Sequence, residues 1–141
     1  MLQYRKTEKR GEPMKKWICI LLLLLLTGCQ MTAGEPVGYQ QIKAEEAKQM
    51  MEGEKKDFVI LDVREQEEYD EAHIPGAVLL PVGMIDEDTA AGVIPEKDTV
   101  VLVYCRSGNR SKTAAKALAE LGYTQVYEFG GIKDWPYETE K

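Results

Sequence analysis

The sequence predicts an α/β fold with a mostly parallel central sheet that is flanked by helices on both faces. Two observations support this prediction. From residue 39 onward, short apolar runs alternate with segments of helical character. The run at residues 58–61 is continuously apolar, which is typical of a strand buried on both faces of a parallel sheet, and residues 99–104 are rich in β-branched side chains. Strands that alternate with helices form parallel sheets covered by those helices.

The first half of the predicted domain begins with a short candidate strand at residues 39–42. Residues 44–52 predict a helix, because their apolar side chains recur at helical spacing and a glycine follows. The apolar run at residues 58–61 predicts a buried strand. Residues 65–71 have a helical composition, and the Ile-Pro-Gly sequence at residues 74–76 predicts a turn.

The second half continues the alternation. Residues 77–80 form another short apolar run, and residues 82–91 predict a helix. Residues 99–104 are rich in β-branched side chains and predict the strongest strand of the chain. Residues 111–121 predict a helix with an inward face of alanine and leucine, closed by a glycine at its C′ position. A last strand is predicted at residues 125–129.

Composition and charge exclude several classes of protein. The chain has 141 residues, of which 44% are hydrophobic and 30% charged, as expected for a globular domain. Its formal net charge of −6 disfavours nucleic-acid binding, because phosphate contacts need a basic surface. Three cysteines are too few for a disulfide scaffold, and a single histidine excludes a His-rich metal site.

An apolar segment near the N-terminus resembles an export signal. Lys15 and Lys16 precede an apolar run at residues 17–26, which is about half the ~20 residues that a membrane-spanning helix needs. A buried core helix is the alternative, but this run offers no polar face to water. Translation from either Met1 or Met14 would retain the segment.

The sequence Leu-Thr-Gly-Cys at residues 26–29 resembles the lipobox of bacterial lipoproteins. In such signals the cysteine receives a diacylglyceryl group and becomes the first residue of the mature chain. We therefore expect a signal peptide at residues 1–28, a lipid on Cys29, a tether at residues 29–38 and a folded domain at residues 39–137. This resemblance implies a lipid-anchored protein on the extracytoplasmic side of the cell membrane.

The residues that say most about chemistry lie between a predicted strand and a predicted helix. Residues 104–111 read Tyr-Cys-Arg-Ser-Gly-Asn-Arg-Ser, which places Cys105 at the carboxyl edge of the sheet, where open α/β folds bind ligands. Successive N–H groups of such a loop can form an anion site to which the helix N-terminus also points. With Arg106 and Arg110 nearby, we expect Cys105 to have a depressed pKa. A buried structural cysteine is the alternative.

Three ordered motifs resemble the rhodanese (thiosulfate sulfurtransferase) family. The N-terminal signature consists of LDVRE at residues 61–65 and HIPGA at residues 73–77. The active-site loop is CRSGNRS at residues 105–111, and the C-terminal motif is GGIKDW at residues 130–135. Together they cover essentially the whole predicted domain. The resemblance implies a rhodanese-like fold.

The resemblance also implies a sulfurtransferase that needs no metal or organic cofactor. Cys105 would take a sulfane sulfur from thiosulfate or a similar donor and pass it, as a persulfide, to a thiophilic acceptor such as cyanide or a thiol. The loop N–H groups would bind the persulfide, and Arg106 would hold an anionic donor. The candidate substrate-binding residues are Arg106, Ser107, Gly108, Asn109 and Arg110.

Other residues of these motifs are expected to be structural. Asp62 and Arg64 follow a predicted strand and could support the active-site loop through a charge-assisted pair. His73 lies in a predicted turn, where a hydrogen-bonded structural role is expected, and this disfavours a cysteine–histidine protease. Two adjacent glycines, Gly130 and Gly131, could allow a close backbone approach, whereas Trp135 is expected in the core.

Other functions share parts of this pattern. Phosphatases and arsenate reductases that use a similar loop have five residues between cysteine and arginine, whereas four separate Cys105 from Arg110, and Ser111 stands at the required place. A non-catalytic rhodanese module is disfavoured because the cysteine is present. A persulfide carrier stays open, because it shares the first half-reaction. The expected partners are a sulfur donor, an acceptor and a membrane, and not a nucleic acid.

Overall fold

The computed structural model describes residues 38–54 and 57–141. In this part of the chain, five strands form one parallel sheet in the order β1-β5-β4-β2-β3. The strands are β1 (Gln40–Gln41), β2 (Phe58–Asp62), β3 (Val78–Leu79), β4 (Val100–Cys105) and β5 (Gln125–Gly131). The predicted signal peptide, Cys29 and nearly all of the predicted tether lie outside the described residues.

Helices connect these strands and cover the sheet. The α-helices of the described residues are α1 (Ala44–Glu52), α2 (Gln66–Glu71), α3 (Glu87–Val93) and α4 (Asn109–Glu120). Two short 3₁₀ helices follow β3 and β5, at Val82–Met84 and Ile132–Asp134. The predicted α/β fold with a parallel sheet is confirmed.

The central strand β4 divides the core into two layers. Val101, Val103 and Cys105 pack on the face covered by α3 and α4, whereas Leu102 and Tyr104 pack on the face that carries α1. All five side chains are buried, because successive residues of a strand point to opposite faces and both faces are covered. This explains why the sequence of β4 is continuously apolar.

The helix predicted at residues 82–91 is wrong in its extent. The chain forms the 3₁₀ turn first and begins α3 only after Asp86. The Asp86 carboxylate accepts a hydrogen bond from the Thr89 N–H at 2.8 Å, and the Thr89 hydroxyl accepts one from the Asp86 N–H at 2.9 Å. This reciprocal cap starts a new helix and separates it from the turn.

The start of α4 also differs from the prediction. The helix begins at Asn109, two residues earlier than expected, so that its first turn lies directly beside Cys105. Its end agrees with the prediction, because Gly122 follows it with a φ of 92°. None of the helices in residues 38–54 and 57–141 has the length and hydrophobicity that a membrane crossing requires.

Candidate active site

Cys105 is the last residue of β4, and the loop that follows folds back over its sulfur. The Gly108 N–H donates a hydrogen bond to Cys105 Sγ at 3.0 Å. Gly108 has a φ of 97°, a backbone conformation that residues other than glycine rarely adopt. This conformation turns the Gly108 N–H towards the sulfur. The sulfur therefore lies in a small site lined by N–H groups at the N-terminus of α4.

Two opposing effects act on the Cys105 thiol. Burial raises its pKa, because the charged thiolate is poorly solvated there. Hydrogen bonds from the Ser111 hydroxyl and from the N–H groups of Ser111, Ser107 and Gly108 act in the opposite direction and outweigh burial. The net result is a pKa below the usual value for a cysteine, so the loop favours the thiolate.

A second glycine allows β5 to approach the loop. A Cβ atom on Gly131 would overlap the Arg106 carbonyl and would lie 2.6 Å from the Ser107 Cα. The Lys133 N–H donates to the same Arg106 carbonyl at 3.3 Å. The loop is therefore held between α4 and the end of β5, and Gly131 allows the close backbone approach that the two adjacent glycines suggested.

Arg110 is held by a partner that sequence reasoning did not identify. Its guanidinium makes a two-pronged contact with the Glu68 carboxylate of α2, at 2.6 and 2.8 Å. The hydrogen bond from Arg110 is the main reason why the pKa of Glu68 falls to about 2. The pair joins α2 to α4 across 42 residues of sequence, so no local pattern could have indicated it.

The other candidate binding residues lie around the rim of the loop. Arg106, Ser107 and Asn109 are exposed. Arg106 makes no ion pair with any residue that the structure describes, and it lines a cavity of about 370 Å³ together with Lys133 and Glu68. A cation at this position can meet an anionic ligand without first leaving a protein partner.

Asp62 and Arg64 form a buried pair at the end of β2. Arg64 donates to both carboxylate oxygens of Asp62, at 2.9 and 2.6 Å, and to the Ala72 carbonyl at 2.8 Å. The Tyr104 hydroxyl donates to Asp62 at 2.6 Å and accepts from the Ile74 N–H at 3.1 Å. The predicted charge-assisted pair therefore exists, and it links the residue before Cys105 to the turn that begins with Ile74.

His73 and Trp135 have the surroundings of structural residues. The His73 ring stacks on Tyr69 with centroids 3.8 Å apart, and its Nδ1 lies 2.9 Å from the Tyr69 carbonyl oxygen. Trp135 is buried against Phe129 in the core layer that contains Tyr104. These surroundings agree with the hydrogen-bonded structural role expected for His73 and with the core position expected for Trp135.

A buried series of hydrogen bonds behind Cys105 was also not predicted from the sequence. The Cys105 thiol lies 3.4 Å from the Ser111 hydroxyl, which donates to Glu128 Oε1 at 2.6 Å. Glu128 comes from β5, and both Ser111 and Glu128 are buried. A glutamate in an apolar strand is the signal that could have identified it, because a buried carboxylate requires polar partners.

Comparison with known proteins decides the family. A family model described as Rhodanese-like domain matches residues 43–137, which is more than half of the chain. The chain belongs to the rhodanese family. Its five-stranded parallel sheet with flanking helices is the rhodanese-like fold.

Relatives of this rhodanese include proteins named for sulfur chemistry. "Putative sulfur carrier protein YrkF" of Bacillus subtilis is 34% identical over 139 residues, which cover 98% of this chain and 69% of that protein. "Thiosulfate sulfurtransferase PspE" of Escherichia coli is 42% identical over 74 residues, which cover 52% and 70%. The solution structure of the rhodanese-like domain of Alr3790 from Anabaena has a TM-score of 0.64 and 31% identity, covering 71% of this chain and 77% of that one.

The described part of this rhodanese has one cysteine, and that cysteine is free. Within the same residues, no group of three or more His, Cys, Asp and Glu side chains is placed to hold a metal ion. The reactive groups that the structure brings together are thus a buried thiol, the N–H groups around it and an exposed arginine beside it. Such a site is suited to nucleophilic attack by sulfur and to stabilising an anion on that sulfur.

Proposed function

We propose that this rhodanese is a sulfurtransferase of the thiosulfate type, with Cys105 as its nucleophile. The observation that carries the proposal is the hydrogen bond from the Gly108 N–H to Cys105 Sγ at 3.0 Å, within a loop that lowers the pKa of the thiol. The name of the relative PspE supports thiosulfate as the donor.

The proposed reaction has two balanced steps. The Cys105 thiolate attacks the outer sulfur of thiosulfate, a sulfur–sulfur bond forms, and sulfite leaves with the electron pair of the broken bond. The resulting persulfide anion is stabilised by the N–H groups of the loop. A nucleophile such as cyanide then takes the outer sulfur as thiocyanate, and the Cys105 thiolate is regenerated.

Turnover with thiosulfate and cyanide tests this proposal. We expect thiocyanate to form with the wild-type protein and not with Cys105→Ser, because a hydroxyl has no comparable anion at neutral pH. Thr113→Ser is the matched control for a small change in the adjoining helix α4, since its side chain is exposed and lies outside the loop. Full turnover by Cys105→Ser would refute the proposal.

A sulfur carrier is the second candidate, and the relative named "Putative sulfur carrier protein YrkF" favours it. A carrier would form the same persulfide but would release the sulfur only to a particular acceptor. Loading the protein with thiosulfate and then offering cyanide, small thiols and protein thiols separates the two functions. Release to cyanide and small thiols supports the transferase, whereas release to a protein thiol alone supports the carrier.

Phosphatase or arsenate reductase chemistry is not proposed. Phosphate-binding loops of that kind need a free arginine fork at the helix N-terminus. In this loop Arg110 already uses its fork on Glu68, at 2.6 and 2.8 Å.

We also propose that the protein is anchored to the cell membrane through a diacylglyceryl group on Cys29, on the extracytoplasmic side. The support is the Leu-Thr-Gly-Cys sequence that ends at Cys29 and the apolar run before it. One diacylglyceryl group supplies two acyl chains, which suffice for stable anchoring. Mass spectrometry of the mature N-terminus tests the proposal, and an unmodified Cys29 would contradict it.

A further inference from the structure

Glu128 is a buried carboxylate, and the proposed sulfur-transfer reaction assigns it no role. Only 3% of its surface is exposed, and it lies on the same face of the sheet as Cys105 and α4. Its Oε1 atom accepts hydrogen bonds from the Ser111 hydroxyl at 2.6 Å and from the Gly130 N–H at 2.8 Å. No ion pair to Glu128 occurs within residues 38–54 and 57–141.

The Ser111 hydroxyl has only one hydrogen, and two groups compete for it. When Glu128 is ionised, the hydroxyl donates to the carboxylate and presents its lone pairs to Cys105, which suits a thiol that donates its own hydrogen at 3.4 Å. When Cys105 is a thiolate, the hydroxyl can donate its hydrogen to the sulfur instead. The contact of 2.6 Å between Ser111 and Glu128 then needs a hydrogen on the carboxyl group.

We propose that Glu128 is a positioning residue that shares one proton with Cys105 through the Ser111 hydroxyl, so that the pair carries a single negative charge. The step is balanced, because the thiol loses a proton to Ser111 while Ser111 passes its own proton to the Glu128 carboxylate. Two anions joined by one hydroxyl repel each other, as in other coupled pairs of acids. This inference rests on the proposed function, in which Cys105 is the nucleophile.

The arrangement has a chemical use. A loop that stabilises a thiolate too strongly also weakens it as a nucleophile, because nucleophilicity falls with pKa. While the Cys105 thiol keeps its proton, the negative charge of ionised Glu128 opposes the effect of the N–H groups that favour the thiolate. The pair therefore keeps the thiol reactive near ambient pH.

Apart from Arg106, the other charged side chains around Cys105 have ion-pair partners of their own. Arg110 of α4 pairs with Glu68 of α2, and Asp62 at the end of β2 pairs with Arg64. Arg106 lies exposed beside the thiol on the loop. Substitution of Glu128 leaves these groups in place, so a change in the titration of Cys105 can be assigned to Glu128.

The test is the pH dependence of the alkylation of Cys105 by iodoacetamide, read from the peptide that carries it and measured without any sulfur donor. Glu128→Gln removes the charge, frees the Ser111 hydroxyl for the thiolate and should shift the midpoint down by about one pH unit. Glu128→Leu should shift it in the same direction. Ser111→Ala removes the hydroxyl donor, so it should shift the midpoint up and reduce the effect of an added Glu128→Gln.

A midpoint that stays in place or rises in both Glu128 variants would overturn the inference, as would an unchanged midpoint in Ser111→Ala. Circular dichroism confirms that each variant is folded. Because no sulfur is transferred in this experiment, it separates the two proposals. A shifted midpoint in a protein that does not turn over thiosulfate would refute the proposed function and support the role of Glu128.

Discussion

Cys105 owes its expected reactivity to its immediate surroundings rather than to a base. The only histidine of the chain, His73, stacks on Tyr69 and is hydrogen-bonded to its carbonyl group. The groups that act on the thiol are instead the Gly108 N–H, the Ser111 hydroxyl and the N-terminus of α4. At the scale of single residues, the reactivity of Cys105 therefore depends on donors that stabilise an anion.

Arg106 is expected to select anionic sulfur donors. It is exposed beside the nucleophile and has no ion-pair partner among the described residues, so it can bind the sulfonate end of thiosulfate. Arg106→Ala should raise the KM for thiosulfate about ten- to a hundredfold, which corresponds to the ~1.5–3 kcal/mol of one charge-assisted contact. Steady-state kinetics measure this change.

The control for Arg106 is an uncharged persulfide donor, for which the same variant should lose much less. Lys112→Ala removes an exposed cation in the first turn of α4 and should leave the kinetics with both donors unchanged. An equal loss for the two donors would show that Arg106 acts on the loop structure and does not bind the donor.

The Glu68–Arg110 ion pair is expected to make the free energy of unfolding decrease as the pH falls into the acid range. Because Arg110 holds the folded-state pKa of Glu68 at about 2, below the ordinary 4.5, the pair stabilises the fold above pH 4.5. That contribution is lost as the pH falls towards 2. After screening by solvent it amounts to about 1 kcal/mol.

Chemical denaturation between pH 5 and 2 measures this contribution. Glu68→Gln should remove about 1 kcal/mol of unfolding free energy at pH 5 and very little near pH 2. Glu67→Gln, an exposed neighbour on α2, should retain the wild-type pH dependence. A Glu68→Gln variant whose loss is the same at both pH values would contradict the ion-pair account.

At the scale of elements, the site depends on how closely β5 approaches the loop after β4. Gly131→Ala places a methyl group where the Arg106 carbonyl lies, so the loop or the strand must move. We expect a loss of about 2–3 kcal/mol in unfolding free energy and a strong loss of sulfur transfer. Thermal denaturation and turnover measure the two effects.

Gly92→Ala is the matched control for this substitution. Gly92 lies in α3 with open space around its Cα, and an alanine there should stabilise the helix by about 0.5–1 kcal/mol without affecting activity. If Gly131→Ala behaved like Gly92→Ala, the close contact between β5 and the loop would not be important for the site.

Elements could be predicted from the sequence where a local pattern is sufficient. The buried strand β4 is continuously apolar, β2 is apolar up to Asp62, and a glycine marks the end of α1 and of α4. The helix predicted at residues 82–91 is wrong in its extent because the cap at Asp86, and not the apolar content, sets where α3 begins. Single capping residues decide where a helix begins, and composition alone does not contain that information.

At the scale of the whole molecule, the buried network around Asp62 connects the sheet edge to the turn before β3. Tyr104→Phe removes the hydroxyl that bonds both Asp62 and the Ile74 N–H, so the Ile74 N–H loses its acceptor and Asp62 keeps only its bonds to Arg64. We expect the unfolding free energy to fall by about 1–3 kcal/mol while sulfur transfer remains. Tyr137→Phe, at an exposed tyrosine, should change neither.

Denaturant titration and turnover of the two tyrosine variants test this role. A stable Tyr104→Phe variant that has lost its activity would mean that the network belongs to the chemistry of the site. The expected result assigns Asp62 and Arg64 to the support of the fold around the site.

The contacts that the sequence could not predict join distant elements. Glu68 meets Arg110 across 42 residues, and Ser111 meets Glu128 across 17. The loop itself was predictable, because a thiol, a glycine and the start of a helix stand next to each other in the chain. Its supporting side chains come from α2 and β5, and only the folded sheet brings those elements to the loop.

The central claim is that Cys105 carries the transferred sulfur, and the mass of the protein tests it most directly. Incubation with thiosulfate should add the mass of one sulfur atom, peptide mapping should assign it to Cys105, and cyanide should remove it as thiocyanate. Cys105→Ser should keep its fold by circular dichroism and gain no sulfur. An unmodified Cys105 after exposure to excess thiosulfate, or a sulfur adduct in the Cys105→Ser variant, would contradict the account.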